Sequence, residues 1–143
     1  MPAMTEDEAY AFIDQRPART AKLATVRKDG APHVAPIWVA LDGHDLMFNT
    51  GRDTLKGHAL RRDPRVSLCF DDDRPPFSFV IVEATVILSE DPEQLLAWST
   101  IIGGRYMGDD LAEQYGRRNG VPGELLVRAT PSRIVAARDI AED

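Results

Sequence analysis

Two Asp-Gly pairs, Asp29-Gly30 and Asp42-Gly43, stand one strand length apart in the run LATVRKDGAPHVAPIWVALDGHDLMFNTGRDTLKGHALRRDPRVSLCFDDD over residues 23–73. Asp-Gly between apolar, β-rich segments is a strong hairpin signal, because glycine accepts the positive φ that tight hairpin turns require. The pairs predict three successive antiparallel strands over 20–28, 33–41 and 45–50. Hairpin after hairpin favours an antiparallel barrel over a parallel sheet, whose strands need long crossovers. In the middle strand His33, Ala35, Ile37, Val39 and Leu41 share one face, and Val34, Pro36, Trp38 and Ala40 the other.

The remaining elements follow from caps and periodicity. An opening helix is capped by Thr5, carries Glu6, Asp7 and Glu8 in its first turn, presents Tyr10, Phe12 and Ile13, and ends by Pro17. A short helix is predicted over 54–62, with Asp63-Pro64 stopping it. Strands follow over 65–71 and 77–89. In the second, Val80, Val82, Ala84, Val86 and Leu88 form one apolar face while Phe77, Phe79, Ile81 and Ile87 supply the other, so burial on both sides is expected. Asp91-Pro92 starts a helix that Gly103-Gly104 should break, and another helix follows over 109–118. Asn119 to Gly123 is a loop by composition, and the last strand, Glu124–Ala137, is interrupted at Pro131 by a bulge or an edge. The sum is a mainly β (α+β) fold, a six-stranded antiparallel barrel with flanking helices in a single domain over 1–143, which the resemblance given below makes a split β-barrel.

Charge and composition narrow the function. A net charge of −6 argues against nucleic acid as the main partner. No apolar run approaches membrane-spanning length and no charged-then-apolar leader opens the chain, so a cytoplasmic protein is expected. Cys69 is the one cysteine, which excludes an internal disulfide and multi-cysteine metal sites. His33, His44 and His58 lack metal-ligand spacing, and no metal site is expected. Ser78, Ser99 and Ser132 lie in no nucleophile elbow, and Gly103-Gly104 fits no dinucleotide fingerprint.

The candidate binding residues gather after the third strand. Asn49, Thr50, Arg52, Thr54 and Lys56 put an amide, hydroxyls and two cations at a strand end, a set suited to a phosphate ester, although a solvated basic turn has the same composition. Pro36 signals an irregular or edge strand, and Trp38 either walls a flat ring or belongs to the core. The apolar surface of 77–89 exceeds what one sheet hides, which points either to pairing of two copies with clefts between them or to a helix of the same chain covering that face.

The order of the 23–73 run, with Arg62-Asp63-Pro64-Arg65-Val66 and the later RYMGDDLAEQYGRRNGVPGELLVRATPSRIVA segment over 105–136, resembles the pyridoxamine 5′-phosphate oxidase-like split β-barrel superfamily. It is most similar to the coenzyme F420-dependent branch from actinobacteria. The resemblance implies a homodimer of split barrels with cofactor sites at the subunit interface. It places Lys56, helped by Asn49, Thr50 and Thr54, on the cofactor phosphate, with Arg52 there or on an acidic tail. It sets His33, Pro36, Ile37 and Trp38 along the ring system, and Phe77 and Phe79 near the ring from the other subunit. The implied activity is an oxidoreductase passing hydride from reduced F420 to an unsaturated or conjugated small molecule, with the proton coming from solvent, Tyr106 or His33. An FMN-binding oxidoreductase and a non-catalytic flavin- or deazaflavin-binding dimer are the alternatives. The C-terminal substrate motif of true pyridoxamine phosphate oxidases is missing, which counts against vitamin B6 chemistry.

Overall fold

The computed structural model describes residues 2–142, so residues 1 and 143 of the expected 1–143 unit lie outside the described residues. Helix α1 (Glu6–Ile13) opens with a full capping box: Thr5 Oγ1 accepts from Glu8 N, and Glu8 accepts from Thr5 N. Seven strands then build one antiparallel sheet: β1 (Ala21–Val26), β2 (Pro32–Ile37), β3 (Ala40–Asp42), β4 (Asp45–Gly51), β5 (Arg65–Asp72), β6 (Ser78–Ser89) and β7 (Glu124–Ala137), in the order β2-β1-β5-β6-β7-β4-β3. Both Asp-Gly turns form, with Gly30 at φ +85 and Gly43 at φ +58.

The expected six-stranded split barrel is corrected in its strand count: the sheet has seven strands, and hydrogen bonds do not close it. The single strand expected over 33–41 is two strands, and they lie at opposite edges of the sheet. Only Trp38 and Val39 separate them, so the sheet must curl until its edges meet at that corner, without hydrogen bonds closing it. The cause is a helix far along the chain, α3 (Pro92–Met107). Val39 N donates to Tyr106 Oη at 3.1 Å and Val39 O accepts from Arg105 Nε at 3.0 Å, so neither group is left for a strand ladder. Pro36, one residue from the end of β2, lies on an edge strand, where a missing donor is tolerated.

Gly103 and Gly104 do not break α3. They are buried where it packs on α4 (Ala112–Asn119): a Cβ on Gly103 would stand 2.7 Å from Tyr115 Cβ, and one on Gly104 3.1 Å from Ala112 Cβ. The helix ends at Gly108, whose φ of +101 suits glycine. The segment expected as a helix from 109 starts with a single 3₁₀ turn, Asp109–Leu111, before α4. In β7 the register slips between Glu83 and Ala84 of β6, opposite Arg133 and Pro131, so the expected proline bulge is present.

The concave face of the sheet holds the main core, including Leu23, Phe48, Leu68, Phe70, Val80, Val82 and Val127, each fully buried. Burial of such side chains contributes about 1.5–3 kcal/mol each. On the convex face α3 covers only the β4–β7 region, through Leu95 and Trp98 against Met47 and Leu126. The rest of that face is open, which corrects the expectation that 77–89 is buried on both sides. Val80, Val82, Ala84 and Val86 point into the core, whereas Ile87 is 68% exposed, and Val34 on β2 is 66% exposed. Phe77 falls outside β6 because its φ of +66 ends the turn before the strand. No described helix is long and apolar enough to cross a membrane.

Candidate functional site

The residues expected to bind a phosphate lie where β4 runs into helix α2 (Leu55–Arg62). The join is tight. Arg52 N donates to Gly123 O at 2.8 Å, Thr54 N to Gly51 O at 3.2 Å, and Arg61 Nη2 to Arg52 O at 2.9 Å. A side chain at Gly57 would run into the carbonyls of Gly51 and Arg52, so glycine directly after Lys56 is what lets the helix start this close to the strand end. Thr54 caps α2: its hydroxyl donates to Gly51 O at 2.7 Å and accepts from Gly57 N at 3.1 Å.

The strand alternation divides the cluster. Thr50 sits opposite Leu125 on the concave side and is 5% exposed. Asn49 points the other way, where its Nδ2 donates to Glu124 Oε1 at 3.2 Å and to Asn119 O at 3.3 Å. Arg52 pairs with Glu90 at 3.0 Å and lies 3.8 Å from Asp53. Lys56, half-buried, has no carboxylate within ion-pair distance among the described residues; Glu124 is close enough only to feel its charge. Glu124 is a residue that sequence reasoning missed. Its place in the strand pattern gave no signal, and only the β4–β7 register, Gly51 opposite Glu124, brings it here. Burial pushes its carboxyl up from the usual range, against the Asn49 amide and the Lys56 charge.

The residues expected to line a ring system lie along β2 and the corner after it. His33 stands opposite Thr25 of β1, and both carry a buried polar atom with no partner, His33 Nδ1 and Thr25 Oγ1. Ile37 is buried, which leaves only its backbone for an outside contact, on a strand whose outer edge is unpaired. Trp38 stacks on Tyr106 with centroids 5.1 Å apart and planes 4° apart, and leans on Tyr115 at 6.0 Å. The Tyr106 hydroxyl donates to Arg19 O at 2.7 Å and accepts from Val39 N, so its one proton is committed to the fold. Phe77 and Phe79 stand at the far end of the β5–β6 pair: the register runs from Arg65 opposite Thr85, beside the end of α2, to Asp72 opposite Ser78. One chain does not bring them to the Lys56 corner.

A phosphorylated ring ligand fits two observations: a half-buried cation, Lys56, without a carboxylate partner among the described residues, and orphaned hydrogen-bonding atoms at His33 and Thr25. The sequence pattern described as pyridoxamine 5′-phosphate oxidase matches residues 5–136. The chain belongs to this family. Among solved structures, this family member is similar to a conserved hypothetical protein from Mycobacterium tuberculosis, at 27% identity and a TM-score of 0.83, over 98% of this chain and 89% of that one. It is similar to an F420 reductase at 25% identity and a TM-score of 0.68, over 87% and 94%. It shares the fold of HutZ, the heme storage protein from Vibrio cholerae, at 19% identity and a TM-score of 0.69, over 92% and 94%. No protein of curated function matches the sequence.

Proposed function

We propose that this protein is an F420-dependent reductase that works as a cytoplasmic homodimer and passes hydride to an unsaturated or conjugated small molecule. The observation that carries the reading is Lys56, at the β4–α2 join and without a carboxylate partner among the described residues, in a member of a family that has an F420 reductase among its structural relatives. Lys56 binds the cofactor phosphate through a charge-assisted bond, and Arg52 serves the same anion or an acidic tail. The main-chain groups of His33, Pro36 and Ile37 meet the edge of the ring system, and Trp38 forms a wall whose tilt Tyr106 fixes.

Once bound and reduced, a deazaflavin supplies the hydride, being confined to two-electron transfer. The protein's part is position, exclusion of water and delivery of a proton. With the Tyr106 proton engaged at Arg19 O, the proton comes from His33 or from solvent. The second copy docks on the open convex face, where Ile81, Ile87, Val34 and Val135 lie uncovered or half-covered; its Phe77 and Phe79 then complete the site that one chain leaves unfinished. An FMN oxidoreductase on the same scaffold is the second reading, since Lys56 and Asn49 suit either phosphate. Titration of the purified protein with F420 and with FMN, followed by cofactor fluorescence, tests the proposal. Tighter binding of F420 supports it; a protein isolated yellow with flavin supports the second reading.

A further inference from the structure

The β4–α2 corner holds a carboxylate where a phosphate-binding corner has most need of positive charge. Glu124, the first residue of β7, reaches across the sheet to accept from Asn49 Nδ2 at 3.2 Å. A Cβ built on Gly51 would lie 3.2 Å from Glu124 Oε2, so the carboxylate rests against the backbone at the strand end. From α2, Lys56 adds a favourable charge. The other charges of the corner are tied elsewhere: Arg52 to Glu90, Arg61 to Arg52 O and His58 Nδ1, and Arg118 to Asn119 Oδ1.

We propose that Glu124 is the corner's own counter-anion, so that a phosphorylated ligand enters by taking the Asn49 amide from it and by sharing the Lys56 charge that it feels, and its carboxylate takes up one proton as the ligand binds. This rests on the reading that the corner is the phosphate site. An anionic phosphate beside an ionised carboxylate would repel it at close range, and protonation removes the repulsion while leaving a hydroxyl that can donate to the incoming anion. Partial burial already raises the Glu124 carboxyl, which makes that proton easier to take up. The arrangement makes anion affinity fall as pH rises. It also favours ligands whose extra anchoring, such as a ring system, offsets the cost of displacing Glu124.

Sulfate is a suitable probe, because its charge does not change over the pH range of interest. Its affinity is measured by thermal shift at matched ionic strength on wild type, Glu124→Gln, Lys56→Ala and His58→Gln, the last because the His58 ring sits two residues from Lys56 and bonds Arg61 of the same helix. The expected result is about ten-fold tighter sulfate binding by Glu124→Gln near pH 7.5, a difference that closes near pH 5, with His58→Gln following wild type and Lys56→Ala losing binding throughout. Equal affinity of Glu124→Gln and wild type near pH 7.5, no sulfate binding by Glu124→Gln, or a pH dependence abolished by His58→Gln overturns the inference. If Glu124→Gln does not fold, the His58→Gln protein alone decides: affinity rising as pH falls supports the role of Glu124, and a flat profile overturns it. Sulfate behaving as stated while neither F420 nor FMN binds defeats the cofactor reading and leaves the proton-coupled corner standing. Cofactor binding without any effect of Glu124→Gln on sulfate does the reverse.

Discussion

Tyr106 lies flat against Trp38, 5.1 Å between ring centroids and 4° between planes, and the same Tyr106 hydroxyl accepts the main-chain N–H of Val39. One side chain from the end of α3 thus orients the candidate ring wall and breaks the strand that follows it. Arg105 completes the clamp. It is 8% exposed and donates to Val39 O at 3.0 Å, to Asp14 O at 3.1 Å and to Ile13 O, tying α1, α3 and the β2–β3 corner together.

Tyr106→Phe keeps the stack but strips Val39 N–H of its acceptor and Arg19 O of its donor. The expected cost is about 1–3 kcal/mol, read from urea unfolding of the variant. An unchanged unfolding midpoint would mean that water replaces the hydroxyl at no cost and that the clamp is unimportant.

Gly116→Ala should destabilise the protein even though alanine is the better helix former by about 1 kcal/mol. The added methyl would collide with Thr100 Oγ1 and lie 3.0 Å from Thr100 Cα, a backbone atom that cannot swing aside. Overpacking of this kind costs about 1–3 kcal/mol. Thermal unfolding that shows a stabilised Gly116→Ala protein would contradict the close α3–α4 contact.

The fork between Arg65 and Asp63, 2.8 and 3.0 Å, holds the Asp63 carboxyl down to about 2 from an ordinary 3.8. A depressed carboxylate gives stability that is fully present above its unfolded value and lost as pH falls through its folded one. Asp63→Asn should therefore be slightly less stable than wild type above 3.8, with the gap closing as pH approaches about 2. Acid titration of both proteins by circular dichroism checks this; a gap that persists at the acid end contradicts it.

Much of the fold was legible from local signals. Thr5 caps the helix its position predicts, both Asp-Gly turns form, and Pro131 marks the β7 bulge. The misses share one physical cause, contacts made by residues distant in sequence. Nothing near Trp38 and Val39 announces a break, because Arg105 and Tyr106 supply it. Gly103-Gly104 reads as a helix stop until α4 is seen to need the space. At the site, spacing gathered Asn49, Arg52, Thr54 and Lys56 at one join, but strand alternation turned Thr50 into the core, and only sheet register revealed Glu124.

The open convex face supplies a test of pairing. Ile81 sits mid-strand on that face, between Cys69 of β5 and Val135 of β7. Ile81→Glu should yield a folded monomer that no longer binds cofactor, with sedimentation velocity reporting the size and circular dichroism the fold. A wild-type protein that sediments as a monomer at micromolar concentration contradicts the shared site.

The most direct test of the account is the dissociation constant of F420 for wild type against Lys56→Ala, measured by fluorescence polarisation with the fold of both proteins verified. The account predicts that wild type binds and that Lys56→Ala loses about 1.5–3 kcal/mol, ten-fold or more in Kd. Equal affinity of the two proteins, or no binding by wild type at saturating F420, would contradict it.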